Sequence, residues 1–246
     1  LFNHLVGHLW AADEPLGLRG DYDAAVNGYR PAVAPSREQA LVAFAVARWA
    51  SAAGLREDDR TRAIGTTEVV LEELRMVAAG ERDPLEDPVT AAAIVLAESQ
   101  LRRLGRGVRA EAPEDSAAAA GDAIEPAPGT PVAAAPSRGQ LLGAAATDVT
   151  VLVATMAATA GDERVSTVLD PHDRAVLLAA AARHALDPGG VLANAPEELT
   201  AAVDAVRASV PAGELVSLMP WLAMAEADLA RLTGRPLPAE TAELLQ

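Results

Sequence analysis

The chain contains no cysteine and no lysine, and aromatic residues make up only 3% of it. Without cysteine there are no disulfides, no thiolate nucleophile and no cysteine-based zinc site. Without lysine there is no phosphate-binding P-loop of the usual kind, no Schiff base and no Ser-Lys pair. Several strings are missing as well. No Gly-x-Ser-x-Gly elbow occurs, and neither His-Glu-x-x-His nor Glu-x-x-His is present. Those absences remove the usual signatures of serine hydrolases, zincins and helical di-iron centres.

What remains is alanine, arginine and acid. Alanine fills nearly a quarter of the 246 positions, and all 20 basic residues are arginine. With so few rings, packing falls to alanine, leucine and valine, which implies helices that approach closely. The net charge of −15 repels phosphate backbones and anionic headgroups. Nucleic acid is therefore not an expected partner, and a protein partner is. The cofactor is unspecified. The compartment is open too, with the cytoplasm slightly favoured.

Nearly every segment reads as helix. Ser36 with Gln39 predicts a capping box before a helix over 37–53 that Gly54 stops. Thr66 predicts a cap for a helix carrying Val70, Leu74 and Val77. Asp87-Pro88 opens a helix whose stripe is Ile94, Ala97, Leu101 and Leu104 and which stops at Gly105. Asp170-Pro171, then Asn194 with Pro196, open two more. Leu218, Leu222, Ala225, Leu229 and Leu232 form a last stripe, in which Pro220 must begin or kink a helix. Trp10, Trp49 and Trp221 are each expected on an apolar helix, as core anchors.

Residues 106–138 differ from their surroundings, with five prolines, many alanines and no aromatics. They predict a linker or mobile loop. The expected fold is all-α, with roughly eight to ten helices in two bundles, 1–105 and 139–246, joined by this Ala/Pro-rich stretch. Beyond it, 140–160 is apolar except for Asp148. It predicts a buried central helix, with a membrane span as the alternative and a strand over 149–155 permitted by β-branching.

His4 and His8 are the candidate metal ligands, because i and i+4 place two imidazoles on one helix face. Asp13, Glu14, Asp21 and Asp23 are the nearest acids that could complete a site. Asn3-His4-Leu5-Val6-Gly7 resembles the second-helix motif of DinB-like, mycothiol-dependent metalloenzymes, loosely through Arg19-Gly20 and Asp23 to Tyr29 and Phe44. The resemblance covers under a fifth of the chain and implies a metal-ligand role for His4. That family places two further histidines in a later helix before a Trp-Asp pair, which this sequence lacks, so the activity is not implied.

His172, at the start of its helix, is expected to be neutral; His184, in the last turn of the same helix, to meet the helix dipole. Gly105-x-Gly107-x-x-Ala110 follows a helix rather than a strand and is expected to be a helix stop, not a dinucleotide fingerprint. The functional expectation is a non-catalytic helical interaction or scaffold protein with an acidic surface. The alternatives are a metal-dependent or small-molecule-binding bundle enzyme using His4 and His8, and a membrane-assembly subunit anchored through 140–160.

Overall fold

The computed structural model describes residues 10–11, 17–18, 22–23, 25, 28–29, 34–78, 83–111, 135–158, 169–190 and 195–244. The fold is all-α. Eight α-helices occur among the described residues: α1 Ser36–Ala50, α2 Glu57–Ala78, α3 Pro88–Arg103, α4 Arg138–Ala158, α5 Pro171–Ala185, α6 Pro196–Ala208, α7 Ala212–Thr233 and α8 Ala239–Leu244. Ahead of them lie two short antiparallel pairs, β1 Trp10–Ala11 with β2 Gly17–Leu18 and β3 Tyr22–Asp23 with β4 Gly28–Tyr29. Trp10 is thus on a strand and not on the expected helix. Pro15 and Gly17 interrupt the run after it and favour a reversal of the chain over a helix.

Helix starts follow the side chains that can cap them. The Asp87 carboxylate accepts from Val89 N–H at 3.2 Å and from the Thr90 hydroxyl at 2.9 Å, with Pro88 next in the first turn. The Asp170 carboxylate accepts from Asp173 N–H at 2.9 Å ahead of Pro171. Two expected caps fail. Pro35, not Ser36, stands at the N-cap of α1, and the Gln39 amide donates to the Ala34 carbonyl at 2.8 Å. Thr66 lies inside α2, its hydroxyl donating to the Arg62 carbonyl at 2.9 Å, because Glu57, Asp58 and Asp59 already fill the favourable first turn. Pro220 lies within α7 without ending it.

The largest departure from expectation is α3. It is buried not along one stripe but all round, with every residue from Val89 to Leu101 out of solvent. It packs against α1, α4 and α5. The α1 side is a row of alanines, Ala40, Ala43, Ala47 and Ala50, all fully buried. Side chains this short let helix axes approach to about 8 Å. Around α3, Leu96 and Leu101 are fully buried, a gain of about 2 kcal/mol each from removing their surface from water.

One core cluster holds Phe44, Leu71 and Leu96 from one side of 106–138 together with Leu142, Leu177 and Leu222 from the other. The packing therefore does not confirm two separate bundles. α4 is helical throughout, including 149–155, since Leu141, Leu142, Val149 and Val153 recur at helical spacing and enter that core.

The two ends of 106–138 meet. Glu111 N–H donates to the Gly139 carbonyl at 3.0 Å, and the Ser137 hydroxyl donates to the Glu111 carboxylate at 2.8 Å. Glu98 accepts from Val108 N–H at 3.2 Å and pairs with Arg138. Gly139 and Gly143 admit this contact. A Cβ at position 143 would overlap the Glu111 carbonyl oxygen.

Candidate functional site

Two polar constellations stand out, and both join residues far apart in sequence. The first gathers at the N-terminus of α5. Capping by Asp170 turns His172 and Asp173 toward α1 and α7. Arg37 of α1 holds the Asp173 carboxylate through both terminal nitrogens, at 2.5 and 3.4 Å, and lies 3.7 Å from Asp87. The Asp173 hydrogen bond outweighs desolvation and keeps the Arg37 pKa above its ordinary value.

His172 bridges this ion pair to an aromatic group. Trp221 Nε1–H donates to His172 Nε2 at 3.2 Å, and the two rings meet edge to face at 6.2 Å between centroids. Trp221 in turn lies 5.9 Å from Phe44. Because Nε2 accepts this hydrogen bond, the ring proton sits on Nδ1, which faces the Asp173 carboxylate at 3.8 Å. Sequence neighbours on a regular helix do not face each other, so this closeness is specific to the first turn.

The ligand atoms of Asp170, His172 and Asp173 lie within 4.8 Å of one another, a donor set of two carboxylates and one imidazole. Its present arrangement suits an ion pair better than a cation. Arg37 occupies Asp173, Trp221 occupies the imidazole lone pair, and the positive end of the α5 dipole faces the group. His4 and His8, with Asp13, Glu14 and Asp21, lie outside the described residues; Asp23 is placed only as part of β3.

The second constellation radiates from the C-terminal half of α3. Glu98 is fully buried. Ser99 donates to Asp187 at 2.6 Å, and Arg102 pairs with the same carboxylate oxygen at 2.5 Å. The Gln100 amide donates to the Ser51 hydroxyl, and its oxygen accepts from Arg183 at 3.5 Å. Arg183 pairs with the fully buried Asp228 at 2.5 Å, and Arg231 with the other Asp228 oxygen at 3.0 Å. On α7, Glu226 takes Arg207 and the Thr241 hydroxyl. Each of these buried carboxylates is thus paired, as its desolvation requires.

His184, in the last turn of α5, differs from expectation. Burial pushes its pKa down, outweighing the nearby Asp187, and its Nδ1 is buried without a hydrogen-bond partner. The neutral ring therefore contributes no cation to the helix dipole. Asp148 is pushed the opposite way, its carboxyl raised by burial first and by Asp83 second.

Between α6, α7 and the segment after Gly234 lies a cleft of about 110 Å³, lined by Thr200, Asp204, Glu226 and Arg235 among others. That is well below the few hundred Å³ of a typical small-molecule site. Glu98, Ser99 and Gln100 were not singled out from the sequence, because what buries them is a set of partners 10 to 88 positions away. No family model, no curated relative and no solved structure matches this chain.

Proposed function

We propose that this chain is a helical interaction protein, working through helix faces offered to a protein partner rather than through catalysis. The observation that carries the reading is the outer face of α4. Thr147, Val151, Thr155 and Ala158 are exposed along it, Val151 to 58%. The hydroxyls of Thr147 and Thr155 donate to the helix's own carbonyls, each at 2.9 Å. Such back-bonding turns the threonine methyl groups outward. A methyl-rich face with Asp148 at its border, on a chain of net charge −15, supports packing against another largely apolar surface.

A photo-crosslinking residue placed at Val151, compared with one at Thr61 on the exposed face of α2, tests this in the native cell. Capture of one defined protein at 151 but not at 61 is expected. Equal capture at both positions, or none at 151, would sink the reading.

A membrane role draws on the same helix, which by length and composition could cross a bilayer, with mean hydropathy 1.7 over its most apolar window. Against it stand Asp148 at mid-helix and the residues α4 gives to the shared core, which insertion would pull out of the body. Liposome flotation without detergent separates the two, since the protein-partner reading expects no flotation. The metal-dependent reading on His4 and His8 draws on sequence alone. Metal analysis of the native protein beside a His4→Ala/His8→Ala variant decides it.

A further inference from the structure

We propose that His172 and Trp221 form a proton-operated latch that holds the N-terminal half of α7, residues 212–219, against the body of the protein. A neutral imidazole closes the latch, since its Nε2 lone pair accepts the indole N–H of Trp221 at 3.2 Å. A proton from solvent taken up on that lone pair turns the acceptor into a donor. Two N–H groups then face each other where a hydrogen bond stood. The indole also presents its N–H edge to the imidazole, and the rim of an aromatic ring is its positive part, so the charged form is repelled.

The arm that the latch holds is otherwise loosely fastened. Pro220 has no N–H, so the helical hydrogen bond from position 220 to the Val216 carbonyl is missing. Pro211 stands at the N-cap and makes no side-chain hydrogen bond there. Of the described side chains in 212–219 only Leu218 is buried, while Val216 is 75% exposed. Beyond the proline, Leu222, Ala225, Asp228 and Leu229 anchor α7 in the core. Trp221 sits where arm and anchor join.

The charged groups that face His172 among the described residues are of both signs. On α5, Asp170 and Asp173 bring carboxylate oxygens within 4.8 Å of the imidazole, Asp173 lying 3.8 Å from Nδ1. From α1, Arg37 holds Asp173 and lies 3.7 Å from Asp87. The N-terminus of α5 adds its positive dipole. On α7 the acid on the Trp221 side is Glu214, two turns away. The two carboxylates are where the protonated ring goes: the His172 side chain is 38% exposed and turns from Trp221 toward them without leaving a closed pocket. Acidification through the range in which imidazoles ordinarily titrate, about pH 8 to 5, therefore frees Trp221 and bares Leu218 beside it.

The test is amide hydrogen exchange of the whole chain, read by mass spectrometry at about pH 8 and about pH 5 and corrected for the intrinsic pH dependence of exchange. Protection of 212–219 is expected to fall about fivefold in acid, the net worth of one hydrogen bond, while 222–233 keeps its own. His172→Gln supplies an acceptor that takes up no proton in this range, and should hold the arm in both conditions. Trp221→Phe reads the same contact without touching His172, and should leave the arm as open at the higher pH as the parent is in acid. The same acid loss in His172→Gln as in the parent would overturn the proposal, because another titrating group would then be responsible. Equal loss in 212–219 and 222–233 is general acid unfolding and would overturn it as well. So would unchanged protection of 212–219 in the parent.

Discussion

Glu98 and Arg138 face each other inside the protein, one on the central helix and the other on the first turn of α4, with their side chains only 1% and 17% exposed. The Glu98 carboxylate also takes Val108 N–H, so a single buried charge fastens α3, α4 and the segment between them. Removing one partner of such a pair strands the other in a low-dielectric interior. Arg138→Ala is therefore expected to lower the unfolding free energy by about 3–5 kcal/mol. Replacing both with leucine should cost less than that single substitution. Urea denaturation of the three variants checks the order.

Two glycines in helices should respond to alanine in opposite directions. A Cβ at Gly65 meets nothing within 4 Å, so Gly65→Ala should stabilise by about 0.5–1 kcal/mol through lost chain entropy. Gly143→Ala would drive a methyl group into the Glu111 carbonyl and should destabilise by about 1–3 kcal/mol. Midpoints from the same denaturant series decide this, and equal effects at both sites would refute the close approach of 109–111 to α4.

Because the two ends of 106–138 are held together by Glu98, Glu111, Ser137 and Arg138, the covalent link between them is not what keeps the halves in contact. A protease site engineered between 112 and 134 and then cut should leave both fragments in one particle on size-exclusion chromatography. Separation of the fragments without denaturant would contradict the single shared core.

Asp148 and His184 set the acid behaviour in opposite senses. Asp148 has a raised folded pKa, so its penalty is fully present above that pKa and vanishes below the unfolded value near 3.8. Asp148→Asn should therefore raise the melting temperature at pH 7 and lose this advantage in strong acid. His184 has a lowered folded pKa, so its contribution is complete above the unfolded value near 6.5 and is lost as pH falls through the folded pKa. His184→Gln should flatten the stability profile just below 6.5, and melting curves across that range report it.

The Trp221 donor fixes the His172 tautomer. Nitrogen-15 spectra should show His172 protonated at Nδ1, and Trp221→Phe should shift the population toward the Nε2–H form. An unchanged tautomer in the variant would mean that Asp173, 3.8 Å from Nδ1, suffices alone.

Helix identity was legible wherever a capping side chain precedes proline, as at Asp87-Pro88 and Asp170-Pro171, since the cap and the fixed proline φ act within a few residues. Glycine stops were equally plain. Gly105 and Gly234 adopt positive φ at the ends of α3 and α7, and the Gly105–Ala110 string is the expected helix stop, whereas α1 ends at Ala50, four residues before the expected stop at Gly54. What sequence reasoning missed depends on distance along the chain. Arg37 meets Asp173 across 136 positions, and no local pattern encodes such a pairing. The all-round burial of α3 was hidden for the opposite reason. A helix with Thr90, Glu98, Ser99 and Gln100 on it reads as amphipathic until each of those groups is seen to have a partner.

That burial has a consequence for how the protein is made. During synthesis α3 leaves the ribosome well before α4 and α5, the helices that cover two of its sides. Until residue 185 has emerged, Ile94, Leu96 and Leu101 cannot all be shielded by their final neighbours, and Glu98 waits for Arg138. Nascent chains stalled near residue 110 should therefore be held by chaperones or clump together, while chains released after 185 should begin to resist proteases.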